Sequence, residues 1–426
     1  MKSKVLMKLT NVFLIVFLSQ NLIGQELTKV APEKVGMSTE RLEHLSNTFQ
    51  EYVDNEKLSG SVILLARKGQ IAYFESFGSS DIESKVAMKN DAIFRIASQT
   101  KALVSVGIMI LMEEGKLLIT DPVGKYIPAF KTTTVAEPDG DGYKVVKAKR
   151  PITITDLLTH TAGIGYGYGL GAEQWEKAEI QGWYFADRDE PIQATIERLG
   201  NLPFEAHPGE RFVYGYNTDI LGALIEVVSG ETLDAFLKNR ILDPLGMNDT
   251  HFYLPKEKKD RLAVVYSPDG EKGGLKKAPS PGGMVGQGEY VDGPRKSFSG
   301  GAGLLSTAMD YAKFLQMMLN KGTFNGNRVL SRKSVELMTS DHIGNDMFPW
   351  VGGTGFGLGF SVATNFALRS ELGSNGEFGW GGAYHSTYWV DPQEELVVVY
   401  FTQLIPDNGL DDHKKLRALT YQSIID

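Results

Sequence analysis

Ser98 and Lys101 place the strongest constraint on the fold, because they precede a segment, 102–112, that is almost entirely apolar. A helix that is apolar on every side has to be buried. A short extended apolar stretch, 92–97, leads into the pair. Residues three apart lie on the same face of a helix. The sequence therefore predicts a central buried helix with Ser98 and Lys101 one turn apart at its start.

The residue types of this pair suggest nucleophilic chemistry. A serine hydroxyl becomes a strong nucleophile when a base removes its proton, and a desolvated, neutral lysine can be that base. The positive N-terminal end of the helix also favours negative charge near the serine oxygen. The alternative is structural: Ser98 caps the helix and Lys101 is solvated. The pattern of the two residues alone leaves both interpretations open.

Length and composition exclude several classes of protein. The 426 residues are enough for two packed units or for one large domain with an insertion. The formal net charge of −8 argues against a nucleic-acid-binding surface. The absence of cysteine excludes disulfides, thiol catalysis and a lipid-modified N-terminus. The seven histidines form no metal-binding motif, so we expect neither a metal nor a cofactor.

The first 24 residues have the pattern of a secretory signal. Lys2, Lys4 and Lys8 precede a short apolar core, 12–18, and cleavage is expected before Gln25. The core is too short to span a bilayer. We therefore predict an exported protein, periplasmic or secreted, that is not a lipoprotein and is not stably inserted in the membrane after cleavage. The alternative is an uncleaved membrane anchor.

Strand patterns occur near both ends of the chain, and short helical patterns dominate between them. A hairpin signal lies at 61–74, and strands are predicted at 357–362, 386–390 and 396–401, before a closing helix at 411–425. This distribution predicts an α+β fold in which both ends of the chain build one sheet unit, with a mostly helical insertion between them.

Several segments besides the Ser98 pair together carry a family resemblance, which covers nearly all of the chain after the signal. The segments are 94–101 (FRIASQTK), 156–163 (DLLTHTAG), 208–214 (PGERFVY), 244–247 (PLGM), 301–307 (GAGLLST) and 378–382 (FGWGG). With them the chain resembles the serine β-lactamase and penicillin-binding-protein superfamily. Within it, the chain is similar to the class C β-lactamase-like group and above all to the family VIII carboxylesterases.

The resemblance implies a β-lactamase/DD-peptidase-like α+β fold, an antiparallel sheet flanked by helices plus a mostly helical domain. It assigns residues 25–95 and 301–426 to the sheet domain and 96–300 to the helical domain, with the active site at their interface. It also makes Ser98 the nucleophile and Lys101 its base.

The second motif of this superfamily is a tyrosine with an asparagine two residues further on. Tyr214 has the expected offset from the preceding Pro-Gly pair, so the resemblance makes it the partner of Lys101 in proton transfer. Tyr216 occupies the asparagine position, and Asn217 follows one residue late. We expect these two residues to contact substrate. The alternative for Tyr214, and more strongly for Tyr216, is a buried structural aromatic.

The third motif bears on the substrate class. β-Lactamases and peptidases of the superfamily place a lysine or histidine where this chain has Trp380, followed by Gly381 and Gly382. An uncharged indole lacks the charge-assisted hydrogen bond that holds a substrate carboxylate. Family VIII esterases carry this Trp-Gly-Gly variant, and the resemblance places the oxyanion hole at the backbone N–H groups of Ser98 and Ala383. The alternative role of Trp380 is core packing.

The histidines do not suggest a different hydrolase. No Gly-x-Ser-x-Gly elbow is present, so an α/β-hydrolase triad lacks its nucleophile. His160 is expected to be structural, and so is His385, although His385 could reach the mouth of the site. Two glycine-rich segments, 166–169 and 281–283, are expected to rim the pocket.

These observations predict a serine hydrolase that cleaves a small ester or amide substrate through an acyl-enzyme on Ser98. Carboxylic esters are the expected class. The alternatives are a β-lactamase, a D-amino-acid peptidase or transpeptidase, and a non-catalytic wall- or ligand-binding protein.

Overall fold

The computed structural model describes residues 26–344, 346–407 and 409–426. The predicted signal segment, 1–24, lies outside the described residues. The strands are β1 (Gly60–Arg67), β2 (Gln70–Asp81), β3 (Val86–Ala87), β4 (Phe94–Arg95), β5 (Thr134–Asp139), β6 (Gly142–Lys147), β7 (Pro203–Phe204), β8 (Tyr266–Pro268), β9 (Leu275–Lys277), β10 (Leu305–Ser306), β11 (Thr323–Phe324), β12 (Asn327–Arg328), β13 (Thr354–Phe356), β14 (Ser361–Ala363), β15 (Phe378–Gly382), β16 (Ser386–Asp391) and β17 (Leu396–Thr402). The α-helices are α1 (Thr39–Asp54), α2 (Thr100–Glu113), α3 (Ile154–Leu158), α4 (Ala172–Lys177), α5 (Ile192–Leu199), α6 (Asn217–Ser229), α7 (Leu233–Leu237), α8 (Asp243–Leu245), α9 (Ala308–Leu319), α10 (Arg332–Met338), α11 (Phe366–Arg369) and α12 (Asp412–Tyr421).

The largest sheet has eight strands in the order β13-β14-β15-β16-β17-β1-β2-β3, and every neighbouring pair is antiparallel. Its two central strands, β1 and β17, come from opposite ends of the chain and pair from Ser61 with Thr402 to Arg67 with Leu396. All eight residues of β1 are buried. A strand that is buried along its whole length needs cover on both faces of the sheet.

Helices provide that cover. Successive side chains of a strand point to opposite faces, and Val62 and Leu64 accordingly belong to the large core that contains α2 and α9. Ile63 and Leu65 instead pack with residues of α1 and α12 on the other face. This architecture confirms the predicted α+β class with an antiparallel sheet flanked by helices. The assignment of residues to two domains stays a prediction.

Helix α2 is the predicted buried helix. All twelve residues 100–111 are buried, and the helix packs against α6 and α7. Residues Ala97–Gln99 form a single 3₁₀ turn that leads directly into α2. The nucleophile candidate therefore lies in a tight turn, and Lys101 lies in the first turn of the helix behind it.

The predicted strand 357–362 is wrong over most of its length. The structure has two short strands, β13 and β14, joined by a turn across the Gly-Leu-Gly sequence 357–359. Gly359 has φ +94°, a backbone conformation that side-chain-bearing residues rarely adopt. The apolar residues of this stretch are buried, but they lie in a turn and not in a continuous strand.

Candidate active site

Ser98 opens into a cavity of about 660 Å³ between β15, the start of α2 and the loops that face them. The wall combines aromatic side chains with a smaller polar group. The residues that line it are Ser98, Tyr166, Trp183, Tyr214, Trp350, Trp380, Gly381, Gly382, Ala383, His385, Ser386, Thr387, Asp407 and His413.

Lys101 is buried beside the serine and is not solvated. Its side chain is among the largest fully buried ones in the described residues, and its Nζ lies 3.3 Å from Ser98 Oγ. The same Nζ donates to the carbonyl oxygen of Gly301 at 2.8 Å and lies 3.3 Å from the hydroxyl of Tyr166. These three oxygens hold the amine against the serine hydroxyl, as the base of a serine nucleophile requires.

A buried carboxylate supports the carbonyl that Lys101 contacts. Asp219, in the first turn of α6, accepts hydrogen bonds from Ser299 Oγ at 2.6 Å and from the backbone N–H of Gly301 at 3.0 Å. Burial raises the pKa of Asp219, and the charge of Lys101 opposes that rise. Lys101 and Asp219 therefore both contact the backbone of Gly301 behind the nucleophile, Lys101 at its carbonyl and Asp219 at its N–H.

Two tyrosines contact Lys101 in different ways. Tyr166 presents its hydroxyl to Nζ, and desolvation raises the pKa of that hydroxyl well above its ordinary value, so it stays protonated. Tyr214 instead presents its ring face, with Nζ 4.6 Å from the ring centroid. The hydroxyl of Tyr214 accepts a hydrogen bond from Trp380 Nε1 at 3.0 Å. The phenol that hydrogen-bonds to Lys101 is thus Tyr166, where the family motif pointed to Tyr214.

His160 supports Tyr214 from behind and does not face the cavity. The imidazole is 1% exposed and packs on the ring of Tyr214 with a centroid separation of 4.7 Å. Burial and the nearby charge of Lys101 both lower the pKa of His160, so the ring is neutral. This position agrees with the structural role expected for it.

Tyr216 and Asn217 require a correction, because neither reaches the cavity. Both side chains are fully buried. Tyr216 donates its hydroxyl to the carbonyl of Gly182, and its ring stacks on Trp175 with a centroid separation of 5.9 Å. Asn217 donates to His160 Nδ1 at 2.9 Å. Direct contact with substrate is excluded for two side chains that are enclosed in this way.

The glycines of the third motif allow a close approach between β15 and the nucleophile turn. A Cβ atom added at Gly382 would lie 2.5 Å from the carbonyl oxygen of Ile96, inside van der Waals contact. Only glycine fits there without displacing one of the two backbones. Ala383 follows, and it lines the same cavity as Ser98. The oxyanion hole at the N–H groups of Ser98 and Ala383 stays a prediction.

Several residues of the cavity wall belong to no recognisable sequence motif. Trp183 and Trp350 lie in loops, and Trp350 is 55% exposed at the cavity edge. Tyr166 was expected only as part of a glycine-rich rim. The other rim segment, 281–283, is not among the residues that line the cavity. Isolated aromatics in loops have no periodicity, so only the folded structure shows what they face.

His385, Asp412 and His413 are the one group in the described part of the chain whose ligand atoms come within metal-binding range of each other, at 4.8 Å or less. The two imidazoles are stacked, with ring centroids 4.2 Å apart and planes 15° from parallel. The lone pairs of a histidine lie in its ring plane, so two stacked rings cannot both point at one ion. This arrangement does not fit a metal centre.

Comparison with known proteins agrees with this geometry. A family model described as Beta-lactamase matches residues 45–422. The chain belongs to the beta-lactamase family. An uncharacterized protein of Mycobacterium tuberculosis is 32% identical to it over 85% of this chain and 90% of its own length. Esterase EstB of Burkholderia gladioli is 28% identical, over 84% of this chain and 89% of its own length.

Among solved structures, this member of the beta-lactamase family is similar to EstCE1, described as a hydrolase with promiscuous acyltransferase activity. The TM-score is 0.77 at 26% identity, and the match covers 89% of this chain and 98% of EstCE1. The similarity over nearly the whole described chain confirms the resemblance predicted from the motifs, and with it the fold.

Proposed function

We propose that this chain is a serine hydrolase that cleaves carboxylic esters through a covalent acyl-enzyme on Ser98. The observation that carries the proposal is the buried Lys101 amine, 3.3 Å from Ser98 Oγ at the wall of an aromatic-lined cavity. Membership of the beta-lactamase family and the similarity to esterase EstB and to the hydrolase EstCE1 support the same reaction class.

The first step is attack by the serine. Lys101 takes the proton of Ser98, and Oγ forms a bond to the ester carbonyl carbon. The carbonyl oxygen becomes an oxyanion that accepts hydrogen bonds from the N–H groups of Ser98 and Ala383. Tyr166, bonded to Nζ through its hydroxyl, orients the amine during this transfer.

The second step expels the alcohol. The hydroxyl oxygen of Tyr214 already accepts from Trp380, so its own proton is free to donate to the leaving alcohol oxygen. The proton that Lys101 took from Ser98 then restores the hydroxyl of Tyr214. Water then attacks the acyl-enzyme with Lys101 again acting as base, and Ser98 is regenerated.

The hydrogen bond that Trp380 already donates favours esters over β-lactams and peptide carboxylates as substrates. An indole has one N–H donor, and here that donor is used by Tyr214. A substrate carboxylate next to Trp380 would therefore find neither a charge nor a free donor, whereas an uncharged ester needs neither. The aromatic surface of Trp380 and Trp350, with ring centroids 5.7 Å apart, suits an apolar portion of an ester.

Two measurements test this proposal. Rates on p-nitrophenyl acetate, butyrate and octanoate should exceed the rate on a chromogenic cephalosporin by several orders of magnitude. A fluorophosphonate should label the wild type on Ser98 and leave Ser98→Ala unlabelled. Faster turnover of the cephalosporin would instead assign a β-lactamase, and an unlabelled wild type would favour a binding protein.

Export of the protein and its division into domains belong to the same proposal. None of the helices in the described part of the chain is long and apolar enough to cross a membrane. The signal pattern of residues 1–24 supports cleavage and release to the periplasm or the medium. The cavity lies where the proposed domains 25–95 with 301–426 and 96–300 meet. The mass of the mature protein tests the cleavage.

A further inference from the structure

One large aromatic side chain of the cavity wall is mostly in contact with solvent. Trp350 lies in the loop before β13 and lines the same cavity as Ser98, yet it is 55% exposed. Apolar surface that is left in water can be buried by a ligand, and tryptophan offers a large area of it. The steps of the proposed reaction do not involve this side chain.

Neighbouring rings hold the indole of Trp350 in place. It makes edge-to-face contacts with Phe212 at 5.4 Å and 80°, with Phe348 at 5.5 Å and 71°, and with Tyr214 at 5.5 Å and 72° between ring planes. Phe212 and Phe348 are themselves buried. The indole is therefore ordered before a ligand arrives, and a preorganised side chain loses little entropy on binding.

The position of Trp350 indicates which side of the ester bond it meets. Its ring packs on Tyr214 and, at 5.7 Å, on Trp380, the residue that donates to the Tyr214 hydroxyl. In the proposed reaction that hydroxyl gives its proton to the leaving alcohol oxygen. The alcohol portion of the substrate must then lie beside Tyr214, on the side of the cavity that Trp350 lines.

We propose that Trp350 is a specificity-determining residue, which packs against an aromatic ring in the alcohol portion of the ester. Aromatic rings that meet edge to face or offset are stabilised beyond the apolar area that they bury. The indole already makes such contacts with its protein neighbours, and its exposed part leaves room for one more ring. This inference rests on the proposed ester hydrolysis and adds the substrate class: esters of aromatic alcohols.

Two isomeric substrates test the inference. Benzyl acetate and methyl phenylacetate have the same atoms, and the phenyl ring lies on the alcohol side of the first and on the acyl side of the second. The ratio of their kcat/KM values therefore depends on which side of the ester bond the protein contacts. Cyclohexylmethyl acetate is the third substrate, because it places a ring of similar size on the alcohol side without an aromatic face.

Trp350→Ala should lower the kcat/KM ratio of benzyl acetate to methyl phenylacetate by about tenfold, since it removes one aromatic contact and its apolar area. Trp350→Phe keeps an aromatic ring and should lose less. The kcat/KM on cyclohexylmethyl acetate should fall less than that on benzyl acetate. Leu118→Ala is the matched control, because Leu118 is also an exposed apolar residue, at 59%, and does not line the cavity. It should keep the wild-type ratio, and melting temperatures of all variants check the fold.

The outcomes separate this inference from the proposed function. Equal losses on the two isomers in Trp350→Ala would overturn the inference, because the indole would then only support Tyr214. A larger loss on methyl phenylacetate would place the contact on the acyl side and also overturn it. Equal losses on benzyl and cyclohexylmethyl acetate would exclude the aromatic class. Failure of the wild type to hydrolyse any ester, together with an unlabelled Ser98, would instead remove the proposed function itself.

Discussion

Replacing Trp380 with phenylalanine should slow ester hydrolysis by releasing the hydroxyl of Tyr214. The indole N–H donates to Tyr214 Oη at 3.0 Å, and the two rings lie 5.5 Å apart. Phenylalanine retains most of the ring contact and removes the one donor. A neutral hydrogen bond contributes about 1 kcal/mol, which corresponds to about a fivefold change in rate.

A double-mutant cycle isolates this interaction from the loss of ring area. Trp380→Phe, Tyr214→Phe and the double variant are compared by kcat/KM on p-nitrophenyl butyrate, with melting temperatures as the stability control. Once Tyr214 has lost its hydroxyl, removing the indole N–H should cost little more, so the coupling energy should be about 1 kcal/mol. Trp380→Phe should also produce no cephalosporin hydrolysis, because it adds no cation.

Additive effects in the cycle would refute the argument. They would mean that the indole N–H does not orient the proton of Tyr214 during the reaction. A Trp380→Phe variant with normal ester rates and new β-lactamase activity would refute it more completely. In that case the indole would act only as a steric block. Its hydrogen bond to Tyr214 would then not explain the preference for esters.

Three further predictions follow from the site and its surroundings. Lys101→Met should lower kcat on p-nitrophenyl butyrate by about 10²–10⁴-fold, because it removes the base; near-normal turnover would assign that role elsewhere. Gly382→Ala should reduce kcat far more than Gly381→Ala, since the nearest atom to the added Cβ is 2.5 Å away at Gly382 and 3.1 Å away at Gly381; equal losses would contradict the close approach. Burial raises the pKa of Asp249. Hydrogen bonds to this carboxylate, the largest contribution coming from Arg261, outweigh burial and lower the pKa to about 2, below its ordinary value near 3.8. The carboxylate therefore stabilises the fold above about pH 4, and this contribution is lost as the pH falls to about 2. Melting temperatures of Asp249→Asn should fall less than those of the wild type over that interval, and parallel curves would exclude this origin.

The central helix and the sheet could be predicted because their signals are local. The apolar run 102–112 requires burial wherever it lies, and the flanking Ser98 and Lys101 then have to face the same interior. The continuous apolar runs of the first hairpin strand and of the strand near 396–401 carry the same kind of information, because such runs also require burial. A short stretch of sequence was enough to predict these elements.

Contacts at loop–helix junctions could not be predicted in the same way. Tyr216 and Asn217 stand where a loop enters α6, and a shift of one residue there changes which side chain faces the cavity. Motif spacing therefore placed them at the substrate, whereas the helix turns both into the core. Tyr166 reaches Lys101 from a glycine-rich loop, and no short-range pattern specifies where such a loop returns.

The pairing of β1 with β17 has a consequence for when the protein can fold. During synthesis, the first central strand and the nucleophile turn leave the ribosome about 300 residues before their partner strand, residues 396–402. Until then one edge of β1 has no hydrogen-bonding neighbour, so a stable sheet cannot close. The chain therefore completes its central sheet, and with it the frame of the hydrolytic centre, only after residues 396–402 have been made.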